Sequence, residues 1–330
     1  MKKLFLMLAA AAAVVSCSKD YTIVADQGEA IAFNSFVDNS TRADAATDPS
    51  YTAAKLAYFD VYGAVGGVNI FDGDQVKRNG ANLGDAWTMD SNAPKQYWIA
   101  GAAYKFAAVV DATSVTTDTT TGLPTVLSYT TSDQKDMLYD YVATTGKPND
   151  DGIVGFAFTH LLSKVKFSVT NTTPAAATNY RIVLTEAKLT NVYPSGTYAV
   201  NEDTGTWTPA TASVYGLENL TVNSNSTQYN SKEVLLIPGS AVGVYVRADV
   251  QAKANGTDWT TVSTMEKTFT NVLGVTDSTP NVLVANQAYH FAVSLGIGEE
   301  IKFTATALPE WGNGNTTDTN EDGVDDSVVL

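Results

Sequence analysis

Apolar and polar side chains alternate with period two along most of this chain. Successive strand residues point to opposite faces of a sheet, so the pattern restricts the chain to half-buried β-strands. Lys55 to Tyr62 is one such stretch. Val165, Phe167 and Val169 alternate with Lys166 and Ser168, and Val244, Val246, Ala248 and Val250 alternate with Tyr245, Arg247 and Asp249. Phe291, Val293 and Leu295 form another inward row, and Ile301, Phe303, Ala305 and Ala307 are set against Lys302, Thr304 and Thr306. The inward positions Phe167, Val169, Val246, Phe291, Val293 and Phe303 are expected in the core. Thr113 to Thr121, Asn171 to Asn179 and Asn223 to Asn230 are rich in Thr, Asn, Gly, Ser and Asp, which favour turns. Ser132 to Tyr141, with Ser132 as a cap, is the one place where a turn or two of helix is expected. Many short strands with polar turns and no alternating helices predict an all-β fold of antiparallel β-sandwiches.

Length sets how many sandwiches there are. Without its first 16 residues the 330-residue chain still exceeds 300, which predicts two domains. The apolar run Ile153 to Phe158 closes the first and Lys164 to Thr170 opens the second, so the boundary is expected near His160. The expected organisation is a signal segment 1–16, a polar spacer 17–30, an N-terminal sandwich 31–159, a C-terminal sandwich 160–311 and an acidic tail 312–330. Apolar residues make up 44%, enough to build real cores. The net charge of −15 repels phosphate backbones and disfavours nucleic-acid partners.

The first residues have the layout of an export signal. Lys2 and Lys3 precede an apolar run from Leu4 to Val15 that is too short to span a membrane. Val14-Val15-Ser16-Cys17 then resembles the lipobox of bacterial lipoproteins, in which the cysteine becomes the first mature residue and carries acyl chains. Cys17 is the chain's one cysteine, so no disulfide is available and lipidation at Cys17 is the expected membrane attachment. The plainer alternative is a secreted protein with an incidental cysteine.

Catalytic chemistry is sparse. Both histidines, His160 and His290, lie in strand-like stretches beside apolar residues, where a structural role is expected. There is no G-x-S-x-G elbow, no H-E-x-x-H and no phosphate-binding glycine loop, so no enzyme is expected, although a pair of carboxylates distant in sequence stays open. Asp318-Thr319-Asn320-Glu321-Asp322-Gly323 matches the start of a calcium loop. Asp318, Asn320, Asp322 and Asp325 are the candidate ligands, but Val329 stands where the closing glutamate belongs. An acidic, turn-rich tail is the competing reading, and no cofactor besides this calcium is expected. Trp87, Trp98, Trp207, Trp259 and Trp311 are candidates for sugar stacking or, more simply, for packing.

Six short stretches occur in the order seen in one family. Ile31-Ala32-Phe33 leads to Thr41-Arg42-Ala43; Lys55 to Tyr62 follows; then come Tyr97-Trp98-Ile99-Ala100-Gly101 with Tyr104-Lys105-Phe106. Asp136-Met137-Leu138-Tyr139, Phe158 to Phe167, and Phe303-Thr304-Ala305-Thr306 through Trp311 complete the series. Together they resemble the fimbrillin-like lipoproteins of the type V pili of Bacteroidales, with Ile99 in place of the usual proline. The resemblance implies two transthyretin-like sandwiches, an outer-membrane lipid anchor at the cell surface, and a structural, tip or accessory role in a fimbrium and in adhesion. It implies a protease cut at Arg42, with Ala43 as the new terminus, followed by replacement of a central first strand by one from a neighbouring pilus subunit. The acidic tail leaves only Ser327-Val328-Val329-Leu330 as an apolar end, a departure from a full donor strand. A surface lipoprotein that binds glycan for polysaccharide uptake is the alternative reading.

Overall fold

The computed structural model describes residues 29–37, 56–80, 85–91, 93, 95–148, 151–217, 227–230, 233–254, 258–273 and 281–308. These residues fold as an all-β protein. In chain order the strands are β1 (Ala32–Val37), β2 (Tyr58–Val65), β3 (Val68–Arg78), β4 (Trp87–Met89), β5 (Ala103–Val110), β6 (Ser114–Thr117), β7 (Pro124–Thr130), β8 (Leu138–Thr145), β9 (Ile153–His160) and β10 (Ser163–Asn171). They continue as β11 (Tyr180–Val192), β12 (Ser195–Asn201), β13 (Thr204–Pro209), β14 (Ser213–Gly216), β15 (Thr227–Asn230), β16 (Val234–Leu236), β17 (Gly243–Ala254), β18 (Asp258–Phe269), β19 (Gln287–Leu295) and β20 (Lys302–Leu308).

A seven-stranded sheet runs in the order β1-β9-β8-β5-β2-β3-β4. It curls so that Phe33 on β1 meets Phe71 on β3, Phe106 on β5 and Phe156 on β9, with ring centroids 5.3, 5.6 and 5.8 Å apart. Gly63 makes room for this aromatic centre, since a Cβ there would lie 2.8 Å from Phe71 and 2.9 Å from Phe106. The second core lies between the sheet of β15, β10, β19 and β20, with β16 beside β10, and the sheet β14-β11-β17-β18. Val165, Phe167, Val169, Val246, Phe291 and Val293 are fully buried there and Phe303 packs against them, as the alternation predicts. Most pairings are antiparallel, but β1–β9 and β10–β19 are parallel.

A third core joins residues from both halves of the chain. The sheet β13-β12-β7-β6 combines strands from either side of the β9–β10 junction. It covers Tyr62, Val109, Tyr139, Leu161, Leu162, Leu235 and Ile237. The central strands of the seven-stranded sheet are therefore buried on both faces. On β5, Phe106, Ala108 and Val110 enter the first core, while Ala107 and Val109 enter the third.

Three expectations need correction. Ser132 to Tyr141 is not helical beyond a single 3-10 turn, Thr131–Asp133, before β8. Met137 and Tyr139 fill the third core while Leu138 fills the first, and only an extended chain can divide neighbours in this way. The polar stretches 113–121 and 223–230 contain β6 and β15, where pairing with β7 and β10 overrides turn propensity. Among the described residues the first strand is an edge strand in its sheet rather than a central one.

Candidate functional site: the seat of the first strand

The alternation Ile31, Phe33, Ser35 places these residues on one face of β1, and the seat is built around that face. Ile31 and Phe33 are buried in the first core. β1 runs parallel to β9 from Ala32 opposite Ile153 to Val37 opposite Phe158. On its other side, among the described residues, it is held only at its start. Ile31 N–H donates to the Gln96 carbonyl at 2.9 Å, Trp98 N–H donates to the Glu29 carbonyl at 3.4 Å, and Ala30 bridges Tyr97.

The residues around 96–98 are braced from below. Trp98 packs edge-on against Tyr104 with centroids 4.8 Å apart, and its Nε1–H donates to the Gly152 carbonyl at 3.0 Å. Ile99 N–H donates to the Tyr104 hydroxyl at 2.7 Å, and burial raises the pKa of that phenol. Gly152 has φ +65°, and a Cβ there would press on Trp98 Nε1 and Glu29 Oε1 at 2.9 and 3.0 Å. Lys147 Nζ completes the entry by pairing with Glu29 Oε2 at 2.6 Å, across a half-exposed surface. The Tyr97-Trp98 and Tyr104-Lys105-Phe106 stretches thus build the wall against which the first strand enters. Glu29, Lys147 and Gly152 carry no local signal, because Glu29 and Lys147 meet from 118 positions apart.

The tryptophans divide by environment. Trp98 is buried; Trp87 packs beside Phe59 at 5.1 Å; Trp207 is half-buried and donates to the Leu161 carbonyl at 3.0 Å. Trp259 is half-buried beneath two cations. The histidines are buried, with His160 Nδ1 2.8 Å from Asp136 Oδ2 and His290 Nε2 2.8 Å from Ser168 Oγ. Cys17, Arg42, Ala43, Asp318, Asn320, Asp322, Asp325 and Trp311 lie outside the described residues. Among the described residues, no group of three or more His, Cys, Asp or Glu is placed to hold a metal, and no helix is long and apolar enough to cross a membrane.

A family model described as fimbrillin-like matches residues 41–309. The chain belongs to the fimbrillin-like family. Among solved structures, a candidate cell adhesion protein from Bacteroides uniformis shares 14% identity over 84% of this chain and 97% of its own, with a TM-score of 0.54. A fimbrial protein from Bacteroides vulgatus shares 12% identity over 86% of this chain and 100% of its own, with a TM-score of 0.49. The fimbrial anchor protein Mfa2 from Porphyromonas gingivalis shares 13% identity over 86% of this chain and 99% of its own, with a TM-score of 0.41. At these identities the likeness to the first of them concerns the fold alone. No curated protein matches the chain. The stretches whose sequence resembles the family lie at the entry of β1, at Asp136 beside His160, and across the β9–β10 junction.

Proposed function

We propose that this fimbrillin-like chain is a non-enzymatic subunit of a cell-surface fimbrium with a role in adhesion, assembling by exchange of β1 after cleavage between Arg42 and Ala43. The observation that carries the reading is the seat of β1. Among the described residues the strand is paired along its length by β9 alone and held on its other side only at Glu29 to Ile31. Arg42 lies between β1 and β2 in the chain, so a cut there leaves β1 held by non-covalent contacts.

Those contacts are of the right size for exchange. Burial of Ile31 and Phe33 stabilises by roughly 3–6 kcal/mol at ~1.5–3 kcal/mol per side chain, before the entropy of ordering is subtracted. The half-exposed Glu29–Lys147 pair adds up to about 1 kcal/mol. A cut strand so held stays seated alone, yet a competing strand that fills the same places and pairs with β9 displaces it. The neighbouring subunit supplies that strand, the lipid on Cys17 tethers the uncut form to the outer membrane, and the cut detaches β1 and the anchor together. The acidic tail from Asp318 favours a tip or accessory position over the shaft.

Arg42→Ala tests the reading. The variant is expected to accumulate as folded, lipidated monomer absent from surface polymers, read by fractionation and electrophoresis without heating. Polymers at wild-type abundance would overturn cleavage-licensed exchange.

A further inference from the structure

Two of the chain's 20 cationic side chains converge on one indole. Arg181 Cζ lies 4.5 Å and Lys253 Nζ 4.9 Å from the centroid of the Trp259 ring. Strand register brings them there. Lys253 faces Trp259 across β17 and β18, and Arg181 on β11 faces Gln251, two residues from Lys253 on the same face of β17. Arg181 Nε–H donates to Gln251 Oε1 at 2.7 Å, and Gln251 Nε2–H donates to Thr261 Oγ1 at 3.4 Å.

This charge is not locally neutralised. Among the described residues neither Arg181 nor Lys253 forms an ion pair with a carboxylate. Asp249, two positions from Gln251 on the same face, accepts hydrogen bonds from Thr264 at 2.8 Å and Thr261 at 3.4 Å. A chain of net charge −15 with carboxylates to spare therefore leaves two cations unpaired beside an aromatic ring. The ring restricts both long side chains, so less entropy is lost when they grip a ligand.

We propose that Arg181, Lys253 and Trp259 form a binding site for an acidic sugar, a uronic or sialic acid. The guanidinium presents forked donors to the carboxylate, and the ammonium supplies a second charge. The half-buried indole leaves apolar surface beside the two cations for the sugar ring, while Gln251 Oε1 holds the guanidinium in place. Nucleic acid is disfavoured by the charge of the whole chain.

The inference deepens the adhesion reading by naming a ligand class, and it rests on that reading for its biological use. Binding belongs to the uncut monomer and needs no strand exchange, so its failure leaves the outcome for Arg42→Ala untouched. The test is nuclear magnetic resonance of the full chain with 15N-labelled tryptophan, titrated with glucuronic acid and with sialyllactose, and with lactose and acetate as controls. Trp259→Phe assigns the indole signal. A saturable shift of that signal with one of the acidic sugars is expected, identifying the uronic or the sialic class. Lactose should give none, and acetate should bind at least about tenfold more weakly. Arg181→Gln and Lys253→Gln should each weaken binding about tenfold or more, with the other indole signals unmoved as evidence of an intact fold. No saturable shift, an equal response to lactose or acetate, or unchanged binding in both glutamine variants would overturn the proposal.

Discussion

Ser35 is the weak residue in an otherwise apolar row. It follows Ile31 and Phe33 on the inward face of β1, and its Oγ is buried with no hydrogen-bond partner among the described residues. A hydroxyl in that position costs about 1–3 kcal/mol, so Ser35→Ala should raise stability by about 1 kcal/mol, seen as a higher melting temperature. If Ser35→Ala melts lower than the wild type, the hydroxyl is satisfied and β1 has no such defect. Asp60 offers a second test, through pH. Burial raises its pKa, the hydrogen bond from Gln75 opposes that shift, and the charge of Asp111 adds to it. Burial, followed by the charges of Asp60 and Asp72, pushes the neighbouring Tyr62 phenol up to about 12. A raised carboxyl pKa means that the fold prefers the protonated acid. Its favourable contribution is complete below the unfolded value near 3.9 and is lost as pH rises through the folded value. Asp60→Asn should therefore melt higher than the wild type at pH 7, with the gap closing towards pH 3; a gap that is constant with pH would point to packing instead. Which side chains face inward was legible at this scale, because period two fixes it: Phe167, Val169 and Val246 are fully buried where alternation places them. The Glu29–Lys147 pair was not legible, since nothing local links residues so far apart in sequence.

Whole strands were legible as strands, but their neighbours were not. Ile31 to Val37 reads correctly as extended chain, yet its parallel pairing with β9 and its edge position follow from topology, which alternation does not encode. The run Ala107–Val110 breaks the alternation because β5 is buried on both faces, and that break is a sequence trace of the third core. β16 shows the same division: Leu235 enters the third core between Val234 and Leu236 in the second. Gln134 clasps β16 from the 3-10 turn, donating from Nε2 to the Leu235 carbonyl at 3.1 Å and accepting at Oε1 from Leu235 N–H at 2.9 Å. Leu235→Ala should cost about 2–5 kcal/mol and split the calorimetric unfolding into two transitions, because it loosens the core shared by both halves. One undivided transition in the variant would show that the halves are coupled by other contacts.

At the scale of the whole molecule, the fimbrillin-like fold is organised around the seat of β1. The fimbrillin-like chain builds two self-contained cores and ties them with a third, so the frame does not depend on β1 alone. Against that frame β1 enters at Glu29, pairs with β9 and plugs the first core with Phe33. The resemblance implies a cut at Arg42, which lies outside the described residues, and the seat is what such a cut would release. The most direct test is peptide mass spectrometry of the subunits in fibres purified from the cell surface. The account predicts that fibre subunits begin at Ala43 and lack Ile31 to Val37, while the membrane-tethered form begins at lipidated Cys17. Fibre subunits that retain Ile31 to Arg42 in full would contradict it.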